Sequence, residues 1–183
     1  MKNISSVVVS LLITITCFAQ QVDTLSSVIH LKLPSITEKM TKGNLKIYIQ
    51  GHYKHSRILS DSKNLYRIDD MLLSFRDLSF VPQFENQQRP TLNAIKDDMS
   101  SLWATSKHNK AIIVDESKII TINRVQYAVI NIHEDDEGLI QVYSDYDKKN
   151  RYISMTLQFK KNEEQKATQF VTDILKSITF KNP

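Results

Sequence analysis

Apolar and polar positions alternate over several short stretches of this 183-residue chain and recur at helical spacing over two others. Ile29, Leu31 and Leu33 alternate with His30 and Lys32 before Pro34, the pattern of a half-buried strand. Leu45, Ile47 and Ile49 alternate with Lys46, Tyr48 and Gln50 ahead of Gly51, which predicts a second strand. Met71 to Phe75 reads as a third, with Pro82 as its stop. Pro90-Thr91 opens a helix in which Leu92, Ile95, Met99, Leu102 and Trp103 form one stripe, ending near Lys107. Ala111–Val114 and Lys118–Ile122 are β-branched strands, and Asn123-Arg124 is a turn because Asn tolerates positive φ. Gln126–His133 follows, its Tyr127–Ile130 run predicting burial on both faces. An acidic turn then leads to Leu139–Ser144, and a further turn spans Asp145–Asn150.

Arg151 to Phe159 alternates throughout. Ile153, Met155, Leu157 and Phe159 point one way, and Tyr152, Ser154, Thr156 and Gln158 the other, so one sheet face is expected to be covered by a helix. The last periodic segment supplies that helix. Asn162 is its expected cap with Gln165 three residues on, and Ala167, Phe170, Val171, Ile174, Leu175 and Ile178 form its apolar stripe. A short strand at Thr179-Phe180 closes the chain. The order predicts an α+β fold, an antiparallel sheet flanked by helices, in one domain.

The helix Leu92–Trp103, the paired strands Ile119–Ile122 and Gln126–Ile132, the strand Arg151–Phe159 and the ending Phe170-x-x-x-Ile174-Leu175-x-Ser177-Ile178-x-Phe180 together resemble the PsbP-like and DcrB-like domain family. The resemblance spans Ile29 to Phe180 and is strongest from Leu92 onward. It implies an αβα sandwich and a secreted bacterial member of a family made up mostly of non-catalytic binding or assembly modules. It carries over no catalytic or ligand-binding residue.

The amino terminus specifies a compartment. Lys2 precedes an apolar stretch from Ile4 to Phe18, and Cys17-Phe18-Ala19 places small residues at the positions a signal peptidase reads. Residues 1–19 are therefore expected to be a signal peptide and 20–183 a single exported domain, periplasmic or secreted. The apolar stretch is shorter than the roughly 20 residues that span a bilayer. Lipid attachment at Cys17 is the minor alternative, since Thr14-Ile15-Thr16 matches lipoprotein signals poorly. Cleavage leaves 164 residues, no cysteine and no transmembrane segment. The fold then rests on packing alone.

Without Lys2 the chain has 23 basic against 20 acidic residues, too even a balance for a nucleic-acid partner. Between Lys42 and Arg67, however, six basic residues meet only Asp61. Lys42, Lys46, Tyr48, Lys54, Arg57, Lys63 and Arg67 form the expected contact surface, for an anionic envelope polymer or an unknown acidic protein partner. The competing reading is an ordinary solvated face.

Little else points to chemistry. Gly43, Gly51 and Gly138 are too scattered for a phosphate loop, and there is no Gly-x-Ser-x-Gly elbow. His133-Glu134-Asp135-Asp136-Glu137 lacks calcium-loop spacing and reads as an exposed turn. His52 and His55 would share a face only on a helix, and the strand predicted ahead of them argues against zinc. His30 and His108 stand alone. No catalytic residue, cofactor or metal is assigned. Two functions remain: a non-catalytic envelope binding or assembly module, and an envelope-polymer hydrolase in which His133 and carboxylates act as base and acid.

Overall fold

A computed structural model describes residues 21–24, 29–54, 64–83, 87–105 and 112–180. The proposed signal peptide and Cys17 lie outside the described residues, as do His55, Arg57, Asp61 and Lys63. Among the described residues no helix is long and apolar enough to cross a membrane.

The elements run β1 (Gln21–Thr24), β2 (Ile29–Leu33), β3 (Thr37–Lys39), α1 (Lys42–His52), β4 (Asn64–Ile68), β5 (Met71–Ser79), α2 (Leu92–Ala104), β6 (Ile112–Ile122), β7 (Val125–Glu134), β8 (Glu137–Ser144), β9 (Arg151–Lys160), α3 (Glu164–Ser177) and β10 (Thr179–Phe180). Seven strands form one antiparallel sheet in the order β3-β4-β5-β9-β8-β7-β6, and β1-β2-β10 form a smaller one. β6 to β9 is a meander of consecutive hairpins, and β5 closes onto β9 with Leu73 opposite Leu157. This is the α+β architecture read from the periodicities.

One face of the large sheet meets α3 and β2. Ala167, Val171, Ile174 and Leu175 of α3 pack with Ile153, Met155, Leu157 and Phe159 of β9, and with Ile29, Leu31 and Leu33 of β2. Phe170, expected in the same stripe, is only partly buried. Ser177 Oγ accepts the Lys32 amide at 2.9 Å and ties α3 to the small sheet. Tyr127 lies within this core, and burial pushes its phenol up to about 12, so it stays neutral at any ordinary pH.

The opposite face is covered as well, which corrects the one-sided reading of β9: Ser154, Thr156 and Gln158 are buried too. Two helices account for this. Met99 and Trp103 of α2 pack on Ile130, Ile132 and Leu139, and Leu45, Tyr48 and Tyr53, in and just after α1, pack on Leu65 and Leu72. Trp103 Nε1 donates to Gln141 Oε1 at 2.9 Å, satisfying a donor that would otherwise be costly to bury.

The segment from Leu45 to Ile49 is the main departure from the predicted elements: it is helix, not strand. Thr41 Oγ1 accepts the Asn44 amide and caps the helix, a signal outside the alternating window. Leu45, Tyr48 and Ile49 share the inward face at i, i+3 and i+4, while Ile47 is left 71% exposed. A five-residue apolar pattern fits both periods, and packing decides between them.

Four smaller differences follow the same logic. β3 and β4 are two further strands, β3 only three residues long and β4 overlapping the end of the basic run. β6 is one strand rather than two, with a bulge between Val114 and Glu116. α2 ends at Ala104 rather than near Lys107. Asn162 lies in a single 3-10 turn, and α3 begins after Glu163 with no side-chain cap.

Candidate functional site

At the end of the sheet formed by the β6–β7 turn, the β8–β9 loop and the approach to α2, two clefts of about 540 and 320 Å³ share Gln126, Asp145 and Tyr146 and so form one groove. Its parts come from local backbone chemistry. Asn123 and Arg124 both adopt left-handed φ, 52° and 67°, which makes a two-residue hairpin turn. Asn123 Nδ2 donates to the Lys176 carbonyl at 2.8 Å, docking the turn on α3 and leaving Arg124 exposed at its tip.

The β8–β9 loop is organised around Asp147. Its carboxylate accepts the amides of Lys149 and Arg151 at 2.8 and 2.9 Å and the Arg151 guanidinium. Tyr146 packs against Tyr152 and Phe80, with ring centroids 5.0 and 6.2 Å away, and the Arg89 guanidinium lies 5.1 Å from the same ring. Arg89 also donates to Asn150 Oδ1 at 3.0 Å, so the approach to α2 and the β8–β9 loop are held together. Val125 and Phe180 add apolar wall.

The groove carries excess positive charge. Arg151 is absorbed by Asp147, whereas Arg124, Lys148 and Lys149 make no ion pair among the described residues. Burial raises the Tyr146 hydroxyl, which keeps it an uncharged donor. For Asp147, burial acts upward, but the hydrogen bonds from Arg151 and Lys149 outweigh it and hold the carboxyl below its ordinary value of 3.8. A carboxyl depressed by folding stabilises the folded state above its unfolded pKa, and that contribution disappears as pH falls through the folded value. The loop is therefore expected to stay ordered down to pH 3.8 and to loosen only in stronger acid. The Lys149 and Arg151 amide resonances, followed through an acid titration, check this. A shift centred above pH 3.8 contradicts it.

Of the contact surface expected from the sequence, Tyr48, Lys54 and Arg67 make internal contacts, and Lys42 and Lys46 face solvent. Lys42 and Lys46 are exposed on α1. Tyr48 is buried beneath that helix, hydrogen-bonded to Asp70 at 3.3 Å, and its hydroxyl is pushed up to about 12 by burial and by Asp70. Lys54 pairs with Asp135 and Asp136 at 3.2 and 3.4 Å, and Arg67 with Glu38 at 2.8 Å. Arg57 and Lys63 lie outside the described residues.

The acidic turn is the other half of that pairing. Asp135 and Asp136 form its tip, but Glu137 is only 7% exposed. Glu137 accepts the Lys54 amide at 2.6 Å and the Lys160 ammonium at 3.3 Å, and so anchors the end of α1 to the sheet. Tyr53 reinforces the anchor by donating to the Asp70 carbonyl at 2.5 Å.

The hydrolase reading required His133 and carboxylates to converge. His133 and Glu134 are neighbours on β7 and therefore point to opposite faces. His133 Nδ1 lies 2.6 Å from Asp115. His133, Glu134 and Glu137 do border one cavity, but it is about 20 Å³, room for one water and not for a polymer. Among the described residues no group of three or more potential metal ligands is gathered.

The groove has no signature in the sequence, because its cations come from turns far apart in the chain. Lys148-Lys149 in a short loop and Arg124 in a hairpin were each visible, but nothing local indicates that they meet.

The architecture is similar to that of the solution structure of cyanobacterial PsbP (CyanoP) from Synechocystis sp. PCC 6803, with a TM-score of 0.59 over 92% of this chain and 96% of that one. The two are 7% identical, so the likeness is one of fold. No family model and no curated protein matches the sequence.

Proposed function

We propose that this protein is an exported, non-catalytic binding or assembly module whose groove takes an acidic segment of a partner protein. The observation that carries the reading is the gathering of Arg124, Lys148 and Lys149, none of them in an ion pair among the described residues, around a cleft of about 540 Å³ that also holds Asp145 and the Arg151-bound Asp147. Val125 and Phe180 favour a peptide over a bare phosphate polymer, because they offer apolar contact beside the charges. The leader-like amino terminus supports export to the periplasm or beyond, where anionic envelope material would also be met. Lys42 and Lys46, exposed one turn apart on α1, support a second reading that keeps the Lys42–Arg67 face.

Fluorescent poly-L-glutamate, titrated at physiological ionic strength, tests the groove. Arg124→Glu/Lys148→Glu/Lys149→Glu is expected to weaken binding about tenfold or more and to flatten its salt dependence. Lys42→Glu/Lys46→Glu is expected to leave both unchanged. The reverse outcome assigns contact to α1. Binding of polyphosphate but not polyglutamate replaces the peptide with a phosphate polymer.

A further inference from the structure

The large sheet has two edges among the described residues, and they are unequal. β3 is three residues long, and its Glu38 is tied across to Arg67. β6 is eleven residues long and, among the described residues, pairs only with β7. Its outer edge therefore presents the row of N–H and C=O groups that a further strand would take up. Beside it runs a groove of about 240 Å³, walled by Ile120, Ile122 and Val129 of the sheet and Val171 of α3. Ile113, on the same side of β6, is 52% exposed.

The order of side chains on this edge selects an occupant. Glu116 and Lys118 flank Ser117 and pair with each other at 2.7 Å on one face of the strand. Antiparallel pairing of β6 with a second β6, centred on Ser117, sets Glu116 opposite Lys118 of the second copy and Lys118 opposite its Glu116. Parallel in-register pairing would set like charges opposite one another. The bulge sets Asp115 out of register, its carboxylate already engaged by His133. Beyond the bulge, Ile113 then falls opposite Ile120 of the second copy, covering an exposed side chain and the open wall of the groove.

We propose that β6 is the contact of a two-fold homodimer, in which two seven-stranded sheets join into one across an antiparallel β6–β6 pair. The charge order serves as the register key. The proposal is independent of what the cationic groove binds.

Analytical ultracentrifugation of the purified protein reads the result directly. The parent is expected to dimerise below about 100 μM. Glu116→Lys sets lysines opposite one another and Lys118→Glu sets glutamates opposite one another, so each is expected to weaken dimerisation about tenfold. The double variant Glu116→Lys/Lys118→Glu restores opposite charges and should dimerise like the parent. An equimolar mixture of the two single variants should form a heterodimer, which requires both to be folded and therefore excludes misfolding as the cause. A parent that is monomeric at about 100 μM overturns the proposal. So do single variants that dimerise normally, or a mixture and a double variant that both stay monomeric.

Discussion

Phe159→Ala is expected to lower stability by about 3–5 kcal/mol in urea unfolding. The ring is 1% exposed, in the middle of the cluster beneath α3. It also lies across Gly138, its partner in the β8–β9 register. A Cβ built at Gly138 would stand 2.3 Å from the ring Cζ and 2.4 Å from a neighbouring ring carbon. Glycine is required there by space, not by backbone angle, because its φ lies outside the left-handed region. Gly138→Ala should accordingly cost about 1–3 kcal/mol by overpacking. That cost should shrink in a Phe159→Leu background, where the flat ring is gone. Equal costs in both backgrounds would show that the ring contact is not what demands glycine.

Ile174→Ala is expected to cost about 2–5 kcal/mol, measured the same way. Ile174 is 1% exposed and packs where α3 crosses both the large sheet and β2, so little can collapse into the space it leaves. Phe170 is a natural contrast. It is only partly buried, and the Lys166 ammonium lies 6.0 Å from its ring. Its truncation should therefore cost less than that of Ile174, despite the larger side chain. A loss below about 0.5 kcal/mol at Ile174 would place it in the range of surface substitutions and reject the docking face of α3.

Legibility followed the range of the determining contacts. The strands β7, β8 and β9, the Asn123-Arg124 turn, the start of α2 at Thr91 and the apolar stripe of α3 are all readable, since each is set by residues within a turn or a pleat of one another. α1 differs from the predicted strand because its alternating window also satisfies a helical face, and the choice rests on Leu65 and Leu72 from later in the chain.

The candidate site was the least legible part. The run from Lys42 to Arg67 is basic in sequence, but closure of the sheet brings Asp135 and Asp136 to Lys54 from 81 and 82 residues away, and Glu38 to Arg67 from the neighbouring strand. The same closure brings Arg124 beside Lys148 and Lys149, where Asp147 is taken up by Arg151 and none of the three makes an ion pair among the described residues. Periodicity, and with it the fold class and the main buried stripes, follows from the order of residues alone. Which charges cancel and which remain depends on the folded arrangement. A side chain's face is set by its own backbone, whereas its electrostatic partners are set by strands that meet only when the sheet closes.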